Sequence, residues 1–154
     1  MHTYDVTVTW TGDDGEGTTT YRSYRRDNVV TADGPPDLAG SADPTFRGDA
    51  ARWNPEQLLV AALSQCHLLT YLHLCALNGV VVTGYVDEAH GEMALNEDHS
   101  GQFESVTLRP TVTVAEPDMV EKATALHHDV PALCFIARSV NFSVHHEPIV
   151  VAAG

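Results

Sequence analysis

The chain opens with alternating apolar and polar residues. This two-residue period is typical of a half-buried strand, and its apolar positions are Tyr4, Val6, Val8 and Trp10. The Gly-rich acidic run at 12–17 predicts a hairpin turn. We therefore predict a returning strand over Thr18–Arg25 and a third short strand near Asn28–Thr31.

A loop and then a long helix should follow. Residues 33–52 are rich in Gly, Pro, Ala and Asp and have no period, which predicts a long surface loop. Asn54 is a favourable N-cap, Pro55 suits the first helical turn, and Gly79 can take the left-handed conformation that ends a helix. We predict one helix of about 24 residues between these signals.

The second half of the chain alternates strand and helix patterns. A single α+β domain over residues 1–154 is implied, with the long helix packed on antiparallel sheets. Pro131 should interrupt the later helical region. The predicted elements are strands over Val80–Val86, Gly91–Leu95 and Phe103–Val114, a helix over Pro117–His128, a short helix bearing Cys134, and a last strand over Val140–Val151.

Composition narrows the possible partners. The chain has 21 acidic residues against 8 Lys and Arg, so its surface repels phosphate backbones and anionic lipid, and we expect neither nucleic-acid nor membrane binding. Leu58–Leu77 has the length of a membrane span but carries polar residues and lacks flanking anchors, so we interpret it as a core helix. The N-terminus shows no secretory signal pattern. A cytoplasmic location is the expectation.

Three cysteines carry the most distinctive chemistry. Cys66 lies inside the predicted apolar helix, and Cys134 lies far downstream, so a two-thiol pair and two separate structural thiols are both open. Cys75 is nine residues after Cys66 and therefore lies nearly opposite it on a helix of ~3.6 residues per turn. We expect Cys75 to fill the core.

Activating a thiolate requires a nearby cation. Three arginines, Arg22, Arg25 and Arg26, crowd into one short segment, and on a strand Arg22 and Arg26 would share a face while Arg25 takes the other. A solvated strand face explains them equally well.

A carboxylate and a cysteine share the long helix. Glu56 and Cys66 are ten residues apart, which is a rise of about 15 Å in one helix. They could meet only if two copies of the helix crossed antiparallel near Ala61-Ala62, so a site at a dimer interface is possible.

The nine histidines do not form a metal-binding pattern in the sequence. His67 follows Cys66, and two further pairs are His127-His128 and His145-His146. None matches the spacing that places two ligands on one zinc. We predict no metal and no resident cofactor.

Several of these residues together resemble a known family. Residues 54–58 (Asn-Pro-Glu-Gln-Leu), the ten-residue spacing from Glu56 to Cys66, the apolar helix and the late Cys134 segment ending at residues 139–141 (Ser-Val-Asn) are similar to the OsmC/Ohr family of thiol-dependent hydroperoxide reductases. The resemblance covers essentially the whole chain. It implies an intertwined homodimer in which long central helices are wrapped by sheets and two active sites lie at the subunit interface.

The same resemblance implies residue roles. Cys66 would be the peroxidatic thiol, Cys134 the resolving thiol, and Glu56 the carboxylate that orients an arginine. Arg26 is the first choice for that arginine, then Arg25, then Arg22. The reaction implied is reduction of an organic hydroperoxide through a Cys66 sulfenic acid and a Cys66–Cys134 disulfide. A dithiol reductant, in the family often a lipoyl protein, would then reopen the disulfide.

The main alternative is a non-catalytic dimer of the same fold that binds a small ligand or senses redox state. A purely structural dimer is a third possibility. The distance between Cys66 and Cys134, and an arginine beside them, distinguish these functions.

Overall fold

The computed structural model describes residues 1–154, which divide into two compact units, Met1–Leu59 and Val60–Gly154. The first unit contains a three-stranded antiparallel sheet in the order β1-β2-β3. Its strands are β1 Thr7–Trp10, β2 Asn28–Thr31 and β3 Leu38–Gly40. The single-domain assignment stays a prediction.

The predicted returning strand over Thr18–Arg25 is wrong. β1 pairs directly with β2, and the residues between them form turns and bends. Side chains satisfy the backbone here: Asp13 Oδ1 accepts from the N–H groups of Gly15 and Gly17, both at 2.9 Å, and the Ser23 hydroxyl donates to the Gly17 carbonyl at 2.7 Å. Such local hydrogen bonds compete with strand pairing.

The predicted surface loop over residues 33–52 is only partly a loop. It contains β3 and a 3₁₀ turn at Pro44–Phe46. Strand β3 is held because Trp53 N donates to Ala39 O at 3.0 Å and Ser41 N donates to Trp53 O at 2.8 Å. These contacts come from the residues just before the long helix, which local composition does not reveal.

Helix α1 spans Pro55–Leu77 and confirms the prediction closely. Asn54 Oδ1 accepts from Gln57 N at 2.8 Å, and Gln57 Oε1 accepts from Asn54 N at 3.1 Å, so the two side chains form a reciprocal cap. Gly79 has φ of 72°, as expected for a glycine that ends a helix.

Two mixed three-stranded sheets occupy the second unit, in the orders β4-β7-β9 and β5-β6-β8. The predicted antiparallel pairing holds for β4 with β7 and β5 with β6, whereas the last strand of each sheet pairs in parallel with its neighbour, so these sheets are mixed. The strands are β4 Val82–Asp87, β5 His90–Leu95, β6 Gly101–Leu108, β7 Pro110–Val114, β8 Ser143–His146 and β9 Ile149–Ala152.

Two long strands predicted from sequence are each split between the sheets. Phe103–Val114 breaks at Arg109 into β6 and β7, and Val140–Val151 breaks between His146 and Ile149. Arg109 N donates to the Asp87 carboxylate instead of to a neighbouring strand. Pro110 has no N–H to donate. The breaks let each pass of the chain contribute to both sheets.

Helix α2 spans Val120–Leu126 and has a 3₁₀ turn at each end, Pro117–Met119 and His127–Asp129. The short helix predicted to carry Cys134 is wrong: Cys134 lies between turns, and only the 3₁₀ turn at Ala137–Ser139 follows it. Pro131 limits helix formation in this stretch.

The buried face of α1 organises the core of the second unit. Its fully buried residues recur every four positions, at Leu63, His67, Tyr71 and Cys75, so they form one stripe along the helix. By length and composition α1 could also cross a membrane, but a single such helix is weak support for that role. The stripe shows that one face of α1 packs against protein.

Candidate active site

A pair of reduced cysteines lies in the second unit. Cys66 and Cys134 are both free thiols, and Cys66 packs against the core cluster that contains Cys134, close enough to affect the ionisation of the Cys134 thiol. Cys66 is half-buried on α1, whereas Cys134 is 1% exposed. The structure therefore brings together the two thiols that the sequence left as a possible pair, and we call them the thiol pair.

The surroundings of Cys134 have opposite effects on its ionisation. Burial raises the pKa of the Cys134 thiol well above its usual range, and the adjacent Cys66 thiol adds to the rise. In the other direction, Ala137 N donates to Cys134 Sγ at 3.4 Å, and this contact lowers the pKa. Cys134 is therefore protonated at neutral pH, with a backbone N–H already directed at its sulfur.

Cys75 is separate from this pair. It is 1% exposed and belongs to the core cluster with Tyr71 and Val112. Burial raises the pKa of its thiol. The structure thus confirms the expectation that Cys75 fills the core, and it leaves two cysteines for chemistry.

Arg26 and Glu56 line one open pocket of about 250 Å³ in the first unit. The Arg26 guanidinium lies 3.8 Å from the Tyr24 ring centroid and 4.5 Å from that of Tyr21. The guanidinium also donates to the backbone carbonyls of Tyr24 and Tyr21, both at 2.6 Å. Arg26 is therefore held by cation–π and hydrogen-bond contacts.

Glu56 lies in the first turn of α1. Its Oε2 atom is buried and has no hydrogen-bond partner. A buried carboxylate oxygen without a donor is costly. The pocket thus offers one fixed guanidinium and one unsatisfied carboxylate.

The other arginines of the cluster behave differently. Arg25 is exposed and forms ion pairs with Asp14 at 3.1 Å and with Asp27, and the hydrogen bond that it donates to Asp14 raises the pKa of its guanidinium. Arg22 is exposed. The cluster lies on a loop, so the predicted alternation of strand faces does not apply. Arg26 is distinguished from Arg25 by its contacts instead.

Each cationic side chain of the second unit is engaged with a residue other than the two thiols. Arg109 lies 3.8 Å from Glu147, Lys122 donates to Asn78 O at 3.1 Å, and Arg138 donates to Ala132 O at 3.0 Å. These three are the only Lys and Arg residues after position 59. The remaining five arginines lie within residues 1–59.

Sequence analysis missed a group of buried histidines beside the thiol pair. His67 Nε2 lies 3.0 Å from His127 Nδ1, and the His146 ring centroid is 5.8 Å from that of His67. We call His67, His127 and His146 the histidine cluster. The four-residue period of α1 was the available signal for the burial of His67. No His, Cys, Asp or Glu group in the structure is arranged to hold a metal ion.

The structure places two free thiols in contact, one on a long apolar helix and one in a downstream turn of an α+β fold. This arrangement is that of a two-cysteine thiol protein. The family model described as OsmC-like protein matches residues 48–148. The chain belongs to the OsmC-like family.

Solved structures agree with this assignment. An OsmC-like protein of unknown function from Vibrio cholerae is 32% identical, with a TM-score of 0.86 over 97% of this chain and 100% of that chain. An organic hydroperoxide resistance protein from Elizabethkingia anophelis is 17% identical, with a TM-score of 0.67 over 99% of each chain. The organic hydroperoxide resistance protein OhrB of Bacillus subtilis is 20% identical, with a TM-score of 0.60 over 96% of this chain and 98% of that chain. The latter two similarities concern the fold. No curated protein matches the sequence significantly.

Proposed function

We propose that this protein is a thiol-dependent peroxidase that reduces organic hydroperoxides to alcohols. One observation carries the proposal: two free thiols, one half-buried and one buried, are in contact in the same unit. Two neighbouring thiols of this kind can be oxidised to a disulfide. Membership of a family that includes proteins named for organic hydroperoxide resistance supports the choice of oxidant.

The reaction has two oxidative steps. The Cys66 thiolate attacks the terminal oxygen of the hydroperoxide, the O–O bond breaks, and the departing alkoxide takes a proton to become an alcohol. This leaves a sulfenic acid on Cys66. Cys134 sulfur then attacks the Cys66 sulfur, the S–O bond breaks, and water departs. An external dithiol regenerates both thiols by exchange.

Arg26 and Glu56 are proposed to complete the site from a second copy of the chain. The guanidinium would stabilise the Cys66 thiolate and the developing negative charge on the peroxide oxygens. Glu56 would orient it through the carboxylate oxygen that has no partner in the single chain. Within one helix Glu56 and Cys66 are separated by about 15 Å, which favours a homodimer in which each site uses both subunits.

Apolar side chains beside Cys66 favour an organic substrate over hydrogen peroxide. Leu69 is 60% exposed and Leu72 is 37% exposed on the helix that carries Cys66, so they can contact an alkyl group or a second subunit.

We also propose a cytoplasmic location, where a dithiol such as a lipoyl protein would serve as reductant. The direct test is steady-state reduction of cumene hydroperoxide and hydrogen peroxide with dihydrolipoamide. No consumption above the rate without protein would overturn the proposal.

Replacing Arg26 with alanine should slow reduction of the hydroperoxide by about a hundredfold, since one charge-stabilising group is lost. Arg25→Ala is the matched control, because Arg25 is engaged with Asp14 and Asp27, and its rate should stay within about twofold of wild type. The measurement is the second-order rate constant at pH 7 with the native fold checked by circular dichroism. A larger loss in the Arg25 variant would contradict the assignment of Arg26.

Mixing two inactive variants should restore activity if the site spans two subunits. In a mixed dimer of Arg26→Ala and Cys66→Ser chains, one site receives both wild-type residues and the other receives both substitutions. We expect up to half the wild-type activity per mixed dimer after co-refolding, with a dimeric mass by light scattering. If the mixture stays inactive while mixed dimers form, both residues of a site come from the same chain.

A further inference from the structure

The histidine cluster is a buried group of aromatic bases with few polar partners. His67 is 3% exposed and His127 is fully buried. Their nitrogens share one hydrogen bond of 3.0 Å, and His127 Nε2 is buried without any partner. The His127 ring stacks on Tyr71 at 3.9 Å between centroids. A phenylalanine would fill the same space without an unpaired nitrogen, so packing alone does not explain His127.

The cluster is electrically neutral at physiological pH. Burial lowers the pKa of His67 to about 4 and that of His127 to about 3. Burial also lowers the pKa of His146, which is half-buried. The titratable groups that face these rings are Tyr71, Asp87, His128 and His145. A neutral imidazole holds one N–H and one lone pair, so it can accept a proton at one nitrogen and release one from the other.

The cluster adjoins the thiol pair through a small pocket. His67, His146 and Cys134 line this pocket, whose volume of about 20 Å³ has room for about one water molecule. His146 lies at the end of β8 and is half-buried, whereas His67 and His127 are buried. Buried His67 and half-buried His146 thus border the same small pocket as the buried Cys134 thiol.

The second oxidative step requires the transfer of a proton. Cys134 is buried and carries its proton at neutral pH, but sulfur attacks as the thiolate. The leaving oxygen on Cys66 departs more easily as water than as hydroxide. The step therefore needs a proton removed from one sulfur and a proton delivered at the other.

We propose that the histidine cluster relays the Cys134 proton during formation of the disulfide. As Cys134 sulfur attacks the Cys66 sulfur, one ring nitrogen of His146 or His67 takes the thiol proton while the other ring nitrogen releases its own proton to the departing oxygen. The imidazole stays neutral, the S–S bond forms, the S–O bond breaks and one water leaves. Cys134 is oxidised and the sulfenyl sulfur is reduced. This inference rests on the proposed function, because the hydroperoxide supplies the oxidising equivalents.

The two oxidative steps can be measured separately. In a Cys134→Ser background only the first step occurs, and trapping of the Cys66 sulfenic acid by dimedone reports its rate. With Cys134 present, rapid quenching and thiol counting report the second step. The variant is His146→Asn, chosen because His146 is only half-buried, and His67→Asn is the second variant. His90→Asn is the matched control on another strand, β5, where His90 Nε2 lies 3.5 Å from Glu92.

We expect His146→Asn or His67→Asn to slow the second step about tenfold or more at pH 7, as general acid–base groups do, and to leave the first step unchanged. The defect should shrink toward pH 10, where hydroxide deprotonates Cys134 directly. An unchanged second step in both variants, or an equal slowing at every pH, overturns the relay. If the Cys134→Ser variant forms no sulfenic acid with cumene hydroperoxide, the proposed function fails first, and the relay with it.

Discussion

Cys66→Ser should abolish hydroperoxide reduction, with a loss of about a thousandfold or more, because the thiolate is the nucleophile and a serine hydroxyl is not ionised at neutral pH. The fold should survive, since Cys66 is half-buried and serine has nearly the same shape. Consumption of cumene hydroperoxide in the presence of a dithiol measures the effect. Residual activity within tenfold of wild type would contradict the role of Cys66.

Two further variants separate the cysteines. Cys134→Ser should still react once with hydroperoxide, but its sulfenic acid should persist and then be oxidised to sulfinic acid by excess peroxide. Cys75→Ala should keep its activity, because Cys75 lies in the core apart from the thiol pair. The mass of the intact protein after exposure to peroxide distinguishes these outcomes: one added oxygen, two added oxygens, or the loss of two hydrogens.

Acid should lower the free energy of unfolding of this protein more steeply than it would if His67 and His127 were exposed. The pKa values of His67 and His127 are about 4 and about 3 in the folded chain, against 6.5 for the ordinary side chain. Below pH 6.5 the unfolded chain therefore binds protons that the folded chain does not, so stability present above pH 6.5 is lost as the pH falls toward these values. At pH 5 the loss is about 2 kcal/mol for each of the two rings, from 1.36 kcal/mol per pH unit.

The matched variant is His127→Phe, which keeps an aromatic ring on Tyr71 but removes one titrating group. The free energy of unfolding, measured with urea at pH 7.5 and pH 5, should fall by about 2 kcal/mol less in this variant than in wild type. The comparison removes the contribution of the carboxylates that both proteins share. Equal losses in the two proteins would show that His127 is not held neutral by the fold.

Local signals predicted the element that positions the thiol pair. The Asn54 cap, Pro55 and Gly79 act through the backbone of their immediate neighbours, so the bounds of α1 follow from a few residues. The strands were less predictable because their limits depend on distant pairing. β6 and β7 form one apolar–polar pattern, yet they belong to different sheets, and the break depends on the contact of Arg109 with Asp87.

The site residues also divide into those that the sequence predicted and those whose placement depends on contacts in the folded chain. Residue type and spacing identified Cys66 and Cys134, and the resemblance suggested their pairing before the structure placed the thiols in contact. The arginine cluster was assigned to a strand, but side-chain hydrogen bonds of Asp13 and Ser23 hold the segment in turns. In the sequence His127 stands beside His128, whereas in the fold its ring lies against His67. Tertiary packing alone creates that contact.

The most direct test of the thiol mechanism is a count of free thiols after one equivalent of cumene hydroperoxide. The three thiols of the chain should fall to one. Peptide mapping should then show a Cys66–Cys134 disulfide, with Cys75 free. A bridge that includes Cys75, or the absence of any bridge, would contradict the mechanism.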